Sequence, residues 1–242
     1  KKQNVGWRFD GLRISTDERE AWIDENSERN WGPVLAVMYA LDRGESGHFL
    51  SMNALFPPSE EDQLGDVFLE VESKDGSWIE LDSNVIEPGS FTVPFTTLQI
   101  DKHLGSRYRV RGQYDEVPFE WVGTLRAPPP GDREMVIAHL NCVKNVVAHK
   151  AWNRQGVWFP HDDLVRRVLE HDPDLVFCAG DQIYEGDLSG VDGANRLLDY
   201  HTKYQRWLWA FGELIRDRPS IVIPDDHDVF HGNIWGAGGI RA

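Results

Sequence analysis

From Gly65 to Arg126 the chain alternates apolar and polar residues in short runs: Asp66 to Glu72, Ser77 to Leu81, Phe91 to Phe95, Arg107 to Arg111 and Phe119 to Arg126. Asp-Gly, Pro-Gly and Leu-Gly-Ser turns separate them. Period-two alternation over short strands broken by turns predicts an antiparallel β-sandwich. Ahead of it, Pro33 to Leu41 is apolar nearly throughout and reads as a central strand, with a short buried helix as the alternative. Thr16 to Arg29 reads as a helix whose Asp17, Glu18, Arg19, Glu20, Asp24 and Glu25 form a solvated face.

After Arg133 the pattern changes. Three apolar runs, Glu134 to Cys142, Asp174 to Ala179 and Ile221 to Ile223, are separated by stretches of helical period. Pro160 to His171 predicts a helix with Asp162 as N-cap and Leu164, Val165, Val168 and Leu169 on one face. A longer helix is predicted from about Ala194 to Asp217, with Leu197, Leu198, Tyr204, Leu208, Phe211 and Ile215 at helical spacing and Pro219 as its stop. The order β-α-β-α-β implies parallel strands joined by right-handed crossovers, with their carboxyl ends on one rim. Between the two patterns, Ala127-Pro-Pro-Pro-Gly-Asp-Arg133 cannot continue a ladder, because proline donates no N–H. The expected organisation is therefore a β-sandwich domain at 1–127, a stiff linker at 128–133 and an α/β domain at 134–242.

The three strand ends carry the candidate chemistry. Asp181 follows Gly180 at the end of one apolar run, where open α/β sheets collect ligands, and Tyr184 comes three residues later. A carboxylate and a phenolate there suit a hard cation; the plainer alternative is that Asp181 caps the next segment with Tyr184 packed beside it. Asp225, Asp226, His227 and Asp228 end another run, and charges gathered so closely repel unless a cation or proton sits among them or water screens them. Cys142 ends the third.

The set Asn141-Cys142, Gly180-Asp-Gln-Ile-Tyr-Glu185 and Pro224-Asp-Asp-His-Asp-Val229 resembles the alkaline phosphatase D (PhoD-like) branch of the calcineurin-like metallophosphoesterases, over about residues 134 to 242. The resemblance implies a binuclear or trinuclear metal site, with Fe³⁺ beside Ca²⁺ or another divalent ion. It implies that Asp181 bridges two ions, that Tyr184 and Cys142 bind the ferric ion, and that Asp226 or Asn233 lies near the second metal. His227 would face the phosphate as proton donor or charge stabiliser. The implied substrate is a small phosphate ester, monoester or diester. Two metals about 4 Å apart would clamp its phosphoryl oxygens and lower the pKa of a bridging water. A His with an unperturbed pKa of about 6.5 suits leaving-group protonation, given a carboxylate such as Asp228 or Asp225 beside it. The family's usual N-terminal domain is fibronectin-like or immunoglobulin-like, and its usual location is secreted or periplasmic. No signal peptide is visible at Lys1. The family also uses a later Gly-Asp-x-His type segment, which this chain lacks, so the chain is expected to be the front part of a longer protein with low activity alone.

Composition narrows the alternatives. A net charge of −15 argues against a nucleic-acid backbone as partner. No run of 18 apolar residues is present, so no membrane helix is predicted. The two cysteines, Cys142 and Cys178, lie near neighbouring strand ends, where a disulfide is geometrically open; Cys142 is preferred as a ligand and Cys178 as a core residue. His231 and Arg196 are weaker candidates for substrate contact, and Arg196 and Arg206 could equally pair with surface carboxylates. His139 is expected in the core, and His149, His161 and His171 in solvent. His201, on the long helix, approaches the site only if that helix leans over the sheet rim. A rival reading from another class is a non-catalytic extracellular binding module whose acidic loops hold structural Ca²⁺; Ca²⁺ takes oxygen ligands alone, whereas Cys142 and Tyr184 together favour a ferric ion.

Overall fold

The structure, a computed structural model, describes residues 14–16, 19–21, 32–59, 63–144, 146–147, 157–158, 161–184 and 196–229. The fold is rich in β-sheet, with two helices among the described residues. The chain divides into two compact units, Lys1–Asn30 and Trp31–Ala242.

In the first unit, β1 (Ile14–Thr16) pairs antiparallel with β2 (Arg19–Ala21), matching Ile14 to Ala21 and Thr16 to Arg19. The helix predicted for Thr16 to Arg29 is thus not formed at Thr16 or at Arg19–Ala21; its remaining residues lie outside the described ones. Charge density suggested a helix face there, whereas β-branched Ile14 and Thr16 favour extended backbone.

The second unit begins with seven strands: β3 (Ala36–Gly44), β4 (Gly47–Leu55), β5 (Val67–Glu72), β6 (Trp78–Asn84), β7 (Thr92–Thr97), β8 (Arg107–Tyr114) and β9 (Val117–Thr124). They form two antiparallel sheets, ordered β3-β4-β7 and β6-β5-β8-β9. Alternate residues of both sheets, among them Val37, Met52, Leu69, Val93 and Val110, fill one shared core, which is the sandwich expected from the period-two pattern. Strand β4 was not anticipated, although Leu50, Met52 and Ala54 alternate inward with Ser51 and Asn53 outside. Strand β3 is an edge strand, not a central one. Its near-continuous apolar run has a different cause: Val37 and Tyr39 face the sandwich core, while Ala36 and Met38 face a second cluster on the other side.

That second cluster belongs to the layer built from β10 (Ile137–Leu140), the short antiparallel pair β11 (Val146–Val147) and β12 (Val157–Trp158), α1 (Asp162–Leu169), β13 (Leu175–Ala179), α2 (Arg196–Arg216) and β14 (Ser220–Ile223). Strands β10, β13 and β14 form a parallel sheet in that order. Both crossovers step the same way across the sheet, so right-handedness puts both helices on one face. Leu140, Val176 and Cys178 on that face pack with Val165 of α1 and Trp207, Phe211 and Leu214 of α2. Ile137, His139, Ile221 and Ile223 stand exposed on the other face. His139, stacked on Phe177 at 5.4 Å, is therefore outside the core where it was expected.

The helices agree with their periodicity except at their ends. His161, with φ of 56°, is the N-cap of α1 and Asp162 its first residue, so Asp162 is not the cap. The ring of His161 is half-buried near Phe211 and bonds the Lys144 carbonyl at 2.9 Å, away from the solvent position predicted for it. Leu197 and Leu198 are exposed despite sharing the helical spacing of α2. His201 packs edge-on against Phe91 of the sandwich at 5.3 Å. No helix among the described residues is long and apolar enough to cross a membrane.

Sandwich and parallel layer are tied by buried and half-buried polar contacts. Tyr108 donates its hydroxyl to the Arg216 carbonyl (2.8 Å), Gln205 donates to the Phe56 carbonyl (3.0 Å), and the Asp217 carboxylate accepts from the Thr124 N–H (2.7 Å). At the Pro-rich joint, Arg126 and Arg133 converge on buried Asp174 at 3.0 and 2.6 Å.

Candidate metal centre

The register of the parallel sheet, Leu140 beside Cys178 and Ala179 beside Ile223, brings three strand ends level on one rim. Each end then turns sharply. Gly180 has φ of 101°, and two non-glycine residues, Cys142 at 51° and Asp181 at 54°, also occupy the left-handed region. Such backbone costs about 1–3 kcal/mol per residue and persists only where surrounding contacts hold it. Here the Cys142 N–H donates to the Gly180 carbonyl (3.2 Å), and the Asp181 N–H donates to the Asp228 carboxylate (2.7 Å).

These turns gather the ligand-type side chains. One ligand atom each of Asp181, Asp226 and His227 lies within 4.8 Å of the others. Two donors bound to one ion at about 2.0–2.4 Å can be at most about 4.8 Å apart, so the three fit around a single cation. The Cys142 thiol lies 3.4 Å from Asp181 Oδ2 and 2.7 Å from Asn141 Oδ1. Tyr184 stands beside Asp181 and Cys142, and its ring lies 4.5 Å from that of His227 and 4.4 Å from Lys144 Nζ. Asp181 is buried, and its Oδ1 has no hydrogen-bond partner among the described residues. A buried carboxylate oxygen without a donor is costly by about 1–3 kcal/mol, more when charged, unless a cation supplies the missing partner.

Electrostatics points the same way. Burial first, then the Asp181 charge, holds the Tyr184 phenol protonated well above its usual range. Burial, followed by Asp181, likewise raises the Cys142 thiol. Each group disfavours ionisation of the next, and a bound cation would reverse that order by favouring every anion at once.

Cys142, Asp181, Tyr184, Asp226 and His227, five of the residues singled out from sequence, are therefore brought together. His231 and Asn233 lie outside the described residues, and the side chain of Arg196, at the start of α2, is likewise not described. Both cysteines are free, with Cys178 buried in the sheet. Asp228 was one of two carboxylates, with Asp225, offered as a neighbour for His227. Its carboxylate accepts from the backbone N–H of Asp181, Gln182, Ile183 and Asp225.

No family model matches the chain, and no curated protein matches it.

The residues that sequence reasoning passed over lie on α2. Tyr204 donates to Asp228 Oδ1 (3.1 Å) and Tyr200 to the His227 carbonyl (3.0 Å). Their i, i+4 spacing puts both hydroxyls on one helix face, a signal readable in the sequence but indistinguishable there from core packing.

Proposed function

We propose that this chain carries the first ligand set of a metal-dependent phosphoester hydrolase of the alkaline phosphatase D type. On this reading the antiparallel sheets correspond to the fibronectin-like or immunoglobulin-like domain of such enzymes, and β10 to β14 to the front of their α/β sandwich. The observation that carries the proposal is buried Asp181: its Oδ1 has no hydrogen-bond partner among the described residues, one of its carboxylate oxygens lies within 4.8 Å of ligand atoms of Asp226 and His227, and its Oδ2 lies 3.4 Å from the Cys142 thiol. The mixed oxygen, nitrogen and sulfur donors suit Fe³⁺ or another transition metal at this position better than Ca²⁺.

Asp181, Asp226, His227 and Cys142 would hold the ion, with Tyr184 as a further oxygen ligand once its proton is lost. Bound there, the metal would supply positive charge to the phosphoryl oxygens and acidify a water. Asp181 turns Oδ2 towards Cys142 and has no hydrogen-bond partner for its buried Oδ1 among the described residues, which would suit a bridging carboxylate. His227 places one ring nitrogen within ligand range of Asp181 and Asp226. Tyr200 fixes its backbone through the carbonyl.

The test is metal content and turnover of the protein loaded with Fe³⁺ and Ca²⁺, assayed on p-nitrophenyl phosphate and bis-p-nitrophenyl phosphate. Bound iron with a visible tyrosinate charge-transfer band, lost in Asp181→Asn together with any hydrolysis, supports the reading. A colourless protein that takes up Ca²⁺ alone and cleaves neither ester would favour the structural-calcium module.

A further inference from the structure

We propose that Asp228 is a positioning residue for this cluster: its carboxylate clamps two strand ends together and holds Asp181 in the backbone conformation that aims it at Asp226 and His227. The inference rests on the proposed metal site and deepens it.

Asp181 and Asp228 are chemical opposites. Both are buried, yet Asp181 leaves one oxygen without a donor among the described residues, while Asp228 is saturated. Asp228 Oδ2 accepts from the N–H of Asp181 (2.7 Å) and of Asp225 (2.9 Å). Its Oδ1 accepts from the N–H of Gln182 (2.9 Å) and Ile183 (3.3 Å) and from the Tyr204 hydroxyl (3.1 Å). A carboxylate has about four lone-pair positions, so five donors leave none for a metal ion. Asp228 is thus excluded as a ligand although it sits one residue after His227.

The identity of the donors defines the role. Three N–H groups come from the turn after β13 and one from the turn after β14, so one side chain ties together the loops bearing Asp181 and Asp226. At Asp181 the tie acts on a residue with φ of 54°, a conformation that relaxes readily unless its N–H is anchored. Tyr204 carries the clamp to α2, and α2 is bonded to the sandwich through Gln205 and the Arg216 carbonyl. The ligand geometry is therefore set before any ion arrives.

Co²⁺ binding provides the test, because its visible spectrum reports ligand geometry as well as affinity. Asp228→Asn keeps the size of the side chain but turns an N–H₂ towards backbone donors; Tyr204→Phe removes one hydroxyl and leaves the backbone ties. Titrations are run at a temperature where circular dichroism shows each variant folded. The expected result is an affinity loss of about 10- to 100-fold with an altered spectrum for Asp228→Asn, and a several-fold loss in the same direction for Tyr204→Phe. Unchanged affinity and spectrum in a folded Asp228→Asn, whatever its melting temperature, would overturn the inference while leaving the metal site standing. If Asp228→Asn does not fold, unchanged Co²⁺ binding by Tyr204→Phe overturns it. Wild-type protein that binds no Co²⁺ overturns both readings, since no ligand set then needs positioning.

Discussion

A Cβ placed on Gly180 would fall 2.5 Å from the Cβ of Asp225 and 3.2 Å from its backbone nitrogen. The ends of β13 and β14 approach this closely because position 180 has no side chain, and its φ of 101° is one that L-residues rarely adopt. Gly180→Ala is expected to cost about 3 kcal/mol or more, as left-handed strain and a clash with a backbone-tied carbon add together. Urea unfolding measures the loss, and metal uptake should fall with it because Asp181 is displaced.

Acid should weaken the joint between sandwich and parallel layer. Asp174 is held far below the usual carboxylate range, first by its bond to Arg133 and also by Arg126 and the Val136 N–H. Asp172, bonded first to Arg126 and also to Arg218, is lowered to about 2. A carboxylate whose folded pKa is depressed contributes stability above its unfolded value of about 3.9 and loses it as pH falls towards the folded value. Stability measured by urea melts should therefore decline from about pH 5 to pH 2. Asp174→Asn should cost about 2–3 kcal/mol at pH 7, with solvent screening at half-exposed Arg133 limiting the loss, and should flatten that acid decline.

Tyr108 tests the contact with α2 separately. Its fully buried hydroxyl donates to the Arg216 carbonyl at 2.8 Å. Tyr108→Phe keeps the ring and removes one buried bond, so a loss of about 1–2 kcal/mol is expected in thermal or urea unfolding.

The two thiols should behave differently. Cys142 is exposed and Cys178 is buried, with burial pushing the latter's pKa up to about 12. In metal-free protein one equivalent of a thiol reagent such as DTNB should react under native conditions, and Cys142→Ser should abolish it. Co²⁺ or Fe³⁺ should protect Cys142, whereas Cys178 should react only after denaturation.

Much of this arrangement was legible in the chain. Period-two runs placed β5 to β9, and three apolar runs separated by helical ones placed β10, β13 and β14, because periodicity records which face is buried. The same logic failed where burial had two sources. Pro33 to Leu41 looked central to a sheet, yet β3 is an edge strand covered by the sandwich core on one side and by the α2 cluster on the other. At Thr16 and Arg19–Ala21 charge spacing suggested a helix, and strand pairing decided otherwise.

Residue types at strand ends determined which side chains were candidates: Cys142, Asp181 and Tyr184 stood out as possible ligands, while the family resemblance implied Asp226 near a second metal and His227 as proton donor or charge stabiliser. The division of labour among the carboxylates was not legible. Asp181 and Asp228 are the same amino acid at the ends of similar strands, yet one keeps a bare buried oxygen and the other is filled by five donors. That difference depends on which N–H groups a carboxylate meets. Such meetings are made across 47 residues of chain by the register of β13 against β14 and by the lean of α2, so only the tertiary structure could decide them.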